Sequence, residues 1–256
     1  MDLTVIGCSG SISGPASPAS SYLVTAPYDG RTFSLLVDCG PGALGALYGL
    51  IDPGRIDAIV ISHLHPDHCI DLCGFHVASR YAPGGPWDPV DLYGPAGTLA
   101  RISRAYDASP DGSDPEDLTG TFTSHDWRPT QQVGPFAITT EIMEHPVPTY
   151  GMRIEADGAV LTYSADTAPT PALVDLARDA DLLLAESAYL DGDDNPKGLH
   201  LTGSEAGDHA TAAGARALMI THIPPWHDQD RVLAAAREHF GGPVEAAARG
   251  KFCRIG

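Results

Sequence analysis

The chain has 256 residues, 43% hydrophobic and 19% charged, so it is long enough to bury a sizeable apolar core and lacks the low-hydrophobicity, high-charge signature of disorder. Its 15 Lys and Arg against 33 Asp and Glu give a formal charge of -18, a field that repels polyanions and argues against duplex or tRNA binding. Small anions stay admissible, because bound cations can reverse the field locally inside an acidic molecule.

In chain order, Leu3 to Ile6, Tyr22 to Thr25 and Phe33 to Val37 read as the strands of an opening meander, separated by Gly-, Ser- and Pro-rich turns. Ala43 to Leu50 has helical spacing, Ala58 to Ile61 is a continuous apolar strand, and helical character resumes after Asp67 to about Tyr81. Val90 to Tyr93 is a strand, Leu99 to Tyr106 a helix, and Asp107 to Gly120 an acidic loop, read as a solvated excursion in preference to a lid. Strands follow at Thr121 to Ser124, Phe136 to Met143, Gly151 to Glu155 and Val160 to Ser164, with Asp157-Gly158 offering hairpin turn chemistry. Pro171 to Arg178, Ser204 to Ala215 and Asp228 to Phe240 read as helices, and Asp181 to Ala185 and Ala217 to Thr221 as strands. Two successive runs of strands mixed with helices, meeting near residue 120, predict two facing sheets with helices outside. One α/β domain spanning 1–256 is expected.

No apolar run reaches the roughly 18 to 20 residues that span a bilayer, and the start Met1-Asp2-Leu3 has no basic segment followed by an apolar one. Cys8, Cys39, Cys69, Cys73 and Cys253 form an odd set without paired spacing, as reduced thiols do. Together these predict a cytoplasmic protein with no membrane partner. Cys69 and Cys73 read as packing residues, since neighbouring histidines already fill a site.

Those histidines lie in Ser62-His63-Leu64-His65-Pro66-Asp67-His68, directly after an apolar strand. Imidazole and carboxylate are ligands for zinc, iron or manganese, and a turn lets adjacent side chains such as Asp67 and His68 converge. Further candidates recur where strands end: His145, Asp166 and His222. Asp38, after Leu35-Leu36-Val37, is placed to orient a ligand histidine. His76, His125, His209, His227 and His239 recruit no partners by spacing and read as structural or exposed.

Asp38, then His63-x-His65-x-Asp67-His68, then His145, Asp166 and His222, in this order, resembles the metallo-β-lactamase superfamily. The resemblance implies a four-layer αββα fold and two divalent metal ions, zinc first with manganese or iron as alternatives. One metal would be held by His63, His65 and His145, the other by Asp67, His68 and His222, with Asp166 bridging both. Such a pair clamps a water and lowers its pKa toward neutrality.

Lactonases, thioester hydrolases and phosphodiesterases share these ligands, so the superfamily alone does not choose a reaction. Leu183-Leu184-Ala185-Glu186-Ser187 and His200-Leu201-Thr202 resemble the Glu and His-x-Thr motifs of the tRNase Z-like phosphodiesterase branch. That likeness makes His200 the group that protonates the leaving oxygen and Glu186 the group that holds its tautomer. The bland reading has His200 as a loop residue and Thr202 or Ser204 as a helix cap. The short connection from Asp166 to His200 leaves no room for the tRNA-gripping arm of that branch.

A further likeness, in Leu3 to Pro18, His200 to Gly207 and Thr221-His222-Ile223-Pro224-Pro225-Trp226, is to the actinobacterial atypical class II cyclic-AMP phosphodiesterases. It implies hydrolysis of a small cyclic nucleotide, 3′,5′-cyclic AMP to 5′-AMP, with Asp67 helping to orient or deprotonate the nucleophile, and a homodimer. Alternatives are a related phosphodiesterase acting on another small diester or an RNA 3′ end, a thioester or lactone hydrolase, and a sensor that binds without cutting. Gly7 to Ser13 could offer backbone N–H groups to substrate, and Trp226 either stacks on a purine or packs.

Overall fold

The computed structural model describes residues 1–109 and 111–256, so the acidic 107–120 loop is described except at Pro110. Strands β1 (Asp2–Gly7), β2 (Ser21–Tyr28) and β3 (Arg31–Val37) form the expected antiparallel meander. The chain then winds through α1 (Ala43–Leu47), β4 (Ala58–Val60), α2 (Pro66–Cys69), α3 (Leu72–Tyr81), β5 (Val90–Gly94), α4 (Thr98–Tyr106) and β6 (Phe122–Asp126). Here β3, β4, β5 and β6 pair in parallel, because a crossover helix separates each strand from the next or returns the chain to the same end.

The second half repeats this plan. Strands β7 (Thr130–Val133), β8 (Phe136–Ile142), β9 (Tyr150–Ala156) and β10 (Ala159–Tyr163) run antiparallel. The β9–β10 hairpin turns on Asp157 and Gly158, whose φ values of 52° and 79° supply the left-handed pair that such a turn requires. Parallel strands follow with their helices: α5 (Pro171–Leu176), β11 (Leu182–Glu186), α6 (Gly203–Ala213), β12 (Leu218–Thr221), α7 (Gln229–His239) and β13 (Val244–Ala246). A last strand, β14 (Phe252–Arg254), returns to pair with β1. The result is two seven-stranded sheets, ordered β14-β1-β2-β3-β4-β5-β6 and β13-β12-β11-β10-β9-β8-β7.

Inward-facing residues of the two sheets interdigitate: Val5, Val24, Leu35, Val37 and Val60 from the first meet Phe136, Ile138, Met152, Ile154 and Leu161 from the second. The outer faces carry separate cores under helices, with Leu36, Ile59, Leu72 and Phe75 on one side and Leu183, Ile220, Ala206 and Val232 on the other. Each fully buried side chain of this size contributes about 1.5–3 kcal/mol. Four layers follow, α/β/β/α.

Three features depart from the sequence expectation. The first helix stops at Leu47, leaving Leu50 half exposed. The helix expected from Asp67 to Tyr81 breaks at Ile70–Asp71, where the Asp71 carboxylate accepts the Leu44 N–H at 3.0 Å and its own N–H donates to the Cys39 carbonyl. The strands β7, β13 and β14 are short pieces, and β7, Thr-Gln-Gln-Val, lacks an apolar alternation. No helix among the described residues is long and apolar enough to cross a membrane.

Strand pairing gives β1, β3 and β4 one direction in their sheet and β8, β10, β11 and β12 one direction in theirs, and the residues that follow β4, β8, β10 and β12 gather at one side of the sandwich. The loops there approach closely. A Cβ on Gly40 would stand 2.0 Å from the Asp67 carbonyl oxygen, and one on Gly10 2.1 Å from that of His222. Gly40→Ala should therefore lower unfolding stability by about 1–3 kcal/mol, as overpacking against backbone does, which urea denaturation would measure.

Candidate metal centre

The carboxyl end of β4 delivers Ser62 and His63 into the cleft, and Pro66 then starts α2. Pro66 disfavours helical backbone at His65, which is extended (φ −66°, ψ 145°), while Pro66 itself fits the first helical position. The single turn of α2 is what brings the neighbours Asp67 and His68 to one side. His145 follows β8, Asp166 follows β10 and His222 follows β12, so four strand ends converge.

The convergence makes two groups of donors, each with its atoms within 4.8 Å of one another: His63, His65, His145 and Asp166, and Asp67, His68, Asp166 and His222. In the first, His65 Nδ1 lies 3.1 Å from His63 Nε2 and 3.2 Å from His145 Nε2. In the second, His68 Nε2 stands 3.5 Å from Asp67 Oδ2, and His222 Nε2 stands 3.7 Å from the same oxygen. Asp166 belongs to both, with Oδ1 3.2 Å from His68 Nε2 and Oδ2 3.7 Å from His63 Nε2 and 3.4 Å from His222 Nε2. All seven ligand candidates read from the sequence are thus brought together.

The donor set fits a divalent cation on its own chemistry. His68 Nε2 and Asp166 Oδ1 are buried without a hydrogen-bond partner, an arrangement that is costly unless a ligand completes it. Burial drives His63 well down and His222 to about 3, the latter against the pull of Asp166, so both imidazoles are held neutral, the form that binds metal. Burial opposes charge on His68 as well, but Asp166 and Asp38 outweigh it and raise it well above the usual histidine range. Positive charge is demanded at that spot, and a cation at Nε2 satisfies it as a proton does.

Partners behind the ligands fix their rings. Asp38, fully buried, accepts from His68 Nδ1 at 2.7 Å, as its position after β3 suggested. It also accepts from Ser62 N and Oγ, at 2.7 and 2.8 Å, and from Tyr163 Oη at 3.0 Å. Ser20 Oγ lies 2.9 Å from His222 Nδ1, and His145 Nδ1 donates to the Leu199 carbonyl at 2.9 Å. Ser62 borders the histidine motif and could have been guessed. Ser20, Leu199 and Tyr163 carry no local signal, because each comes from a distant segment, Tyr163 from the opposite sheet.

Glu186, at the end of β11, is fully buried and holds His200 by a 2.8 Å bond to Nδ1. Its oxygens also accept the Thr167 and Ala188 N–H groups, each at 2.9 Å. Burial raises Glu186 to about 7, while the His200 charge opposes the rise. For His200 burial would lower the value, but Glu186, with Asp166 and Asp67 beyond it, lifts it to about 9. The pair therefore keeps a proton on the imidazole at neutral pH. Asp166, Glu186 and His200 also lie close enough to hold an ion, yet the Glu186 oxygens already take three hydrogen bonds, so we read the pair as a proton-holding dyad. The His200 ring stands 5.5 Å from that of His145 and stacks 5.7 Å from that of His222. Thr202 caps α6 in a capping box with Glu205, so the bland reading of that residue holds alongside the dyad.

Cys69 is buried and donates to the His65 carbonyl, a packing role. Trp226 is 61% exposed and does not pack in the core. In the Gly7 to Ser13 loop the N–H groups of Ser9, Gly10 and Ile12 are used internally, and that of Ser11 points at His222 Nε2 at 3.3 Å.

A family model described as a beta-lactamase superfamily domain matches residues 34–223. An uncharacterized protein of Mycobacterium tuberculosis is 43% identical over 95% of this chain and 88% of its own. The crystal structure of the metallo-β-lactamase fold protein YhfI from Bacillus subtilis superposes with a TM-score of 0.86 at 29% identity, covering 100% of this chain and 99% of that one. Human tRNase Z, short form, does so with a TM-score of 0.76 at 22% identity over 100% of both chains, a likeness of fold.

Asp38→Ala should lower divalent-cation affinity about 10–100-fold, and Tyr163→Phe by a smaller factor, in a chelator competition with metal content measured.

Proposed function

The chain belongs to the β-lactamase superfamily as a metallo-hydrolase, and on that footing we propose that it is a dinuclear phosphodiesterase hydrolysing 3′,5′-cyclic AMP to 5′-AMP. The observation that carries this reading is the Glu186–His200 dyad set against the metal-binding cluster. A protonated imidazole beside the cluster suits a diester, whose leaving alkoxide needs a proton, whereas the thiolate of a thioester leaves without one.

His63, His65 and His145 would hold one cation and Asp67, His68 and His222 the other, with Asp166 between them. Bound there, zinc, manganese or iron supplies Lewis-acid charge for a phosphoryl group and brings the pKa of water toward neutrality. The chain's own groups do the rest. Asp67, raised by burial against the influence of His68, would help to orient or deprotonate the attacking water. His200 donates its Nε2 proton to the departing 3′ oxygen, while Glu186 fixes the tautomer by holding Nδ1. The exposed Trp226 ring leaves a face free for a purine.

The second reading is a related phosphodiesterase for another small diester or an RNA 3′ end, favoured by the likeness to tRNase Z. Against a tRNA substrate stand the formal charge of -18 and the path from Asp166 to His200, which contains only α5, β11 and short loops. The resemblance noted in the sequence further proposes a homodimer, and the five free cysteines agree with the cytoplasmic setting expected from the sequence.

The test is 5′-AMP release by purified protein, with metal quantified and a chelated, metal-restored control. Metal-dependent release is expected; no product from protein carrying two metals would reject cyclic AMP. His200→Ala should lower kcat by about 10²–10⁴-fold with both metals retained, whereas His63→Ala and Asp166→Ala should lose metal. Equal metal loss in all three would remove the role given to His200.

A further inference from the structure

Beside the backbone that carries His222 lies a cavity of 390 Å³ that no metal-ligand candidate lines. Its size falls within the roughly 300–1,000 Å³ range of small-molecule sites. The loop after β1, the segment after β12 and the turn after β13 build it, and its walls are mainly apolar: Ile220, Ile223, Pro224, Pro225 and Ala247. Polar side chains also line it, Ser17, Thr221, His227 and Gln229 among them, and two others stand out. Ser9 Oγ is buried without a hydrogen-bond partner, 3.1 Å from where a Cβ on Gly14 would stand, and both residues line the cavity. Arg249 is exposed at the rim. Like Arg55, Arg80 and several other arginines, Arg249 has no ion-pair partner among the described residues, so its guanidinium is available to a ligand.

We propose that this cavity is a second small-molecule site, which takes a nucleoside monophosphate with its base against the proline and isoleucine walls and its phosphate on Arg249. A guanidinium fork matches phosphate oxygens, flat apolar walls match a planar base, and the Ser9 hydroxyl supplies the hydrogen bond that the interior leaves unmade. The site is not the catalytic one, but the two share a wall. Thr221 and Ile223 line the cavity on either side of His222, and the His222 N–H donates to the carbonyl of Cys8, another lining residue. A ligand seated there bears on the backbone that positions a metal ligand, so its occupancy is expected to alter hydrolysis.

The experiment titrates 5′-AMP into metal-loaded protein by calorimetry and follows cyclic-AMP hydrolysis in parallel. Two binding events per chain are expected. Arg249→Ala should weaken one of them by about tenfold, the loss of one charge-assisted contact, and leave turnover without added 5′-AMP unchanged. Gly14→Val, which places a side chain between Pro225 and Ser9, should abolish the same event. A single event untouched by Arg249→Ala overturns the site. Arg249-dependent binding in protein that does not cut cyclic AMP would sustain this site while removing the proposed reaction, so the two failures are distinguishable.

Discussion

A carboxylate taken out of water must find compensating charge or hydrogen bonds, at a cost of several kcal/mol if it does not. Three such groups sit within this sandwich, Asp38, Glu186 and Asp166, each at most 2% exposed. Asp38 and Glu186 are answered from within the chain, by Ser62, Tyr163 and His68 for the first and by Thr167, Ala188 and His200 for the second. Asp166 is answered only in part: its Oδ1 receives no hydrogen bond, burial keeps the facing His63 and His222 neutral, and only His68 is held toward its charged form. The remaining demand is for a cation. The two-sheet architecture serves this by directing strand ends from both sheets at a single carboxylate.

That geometry explains how an acidic protein can handle anionic substrates. The averaged field of the surface is repulsive, but charge in the cleft is set by what the buried carboxylates recruit. The dyad extends the same logic. Glu186 is denied solvent and secured by backbone N–H groups, so it stabilises a proton on His200 that solvent would otherwise share.

Much of this is legible in the sequence. Continuous apolar strands such as Ala58 to Val60, and the placement of His63, His145, Asp166 and His222 after strands, are local patterns, and the fold preserves them as strand ends pointing one way. What stayed hidden depends on chain segments meeting at long range. Tyr163 reads as the last apolar residue of β10, and only the facing of the sheets makes it a donor to Asp38. The strands β13 and β14 are three residues each and are defined by the neighbours they pair with. The break between α2 and α3 is similar, since helical periodicity runs through it and the tie from Asp71 to Leu44 is tertiary.

Three non-glycine residues at these strand ends have left-handed backbone: Asp38 (φ 56°), Ala165 (φ 53°) and His222 (φ 57°). For residues with a Cβ this conformation is disfavoured by about 1–2 kcal/mol each. The strain is concentrated where the sheets deliver their functional groups, and it is opposed by the contacts those groups make. The cleft is thus spring-loaded. When the contacts at the centre are weakened, opening should begin there and spread outward, so amide exchange around the chemistry should quicken more than in the well-packed strands, even though the cleft lies deep in the fold.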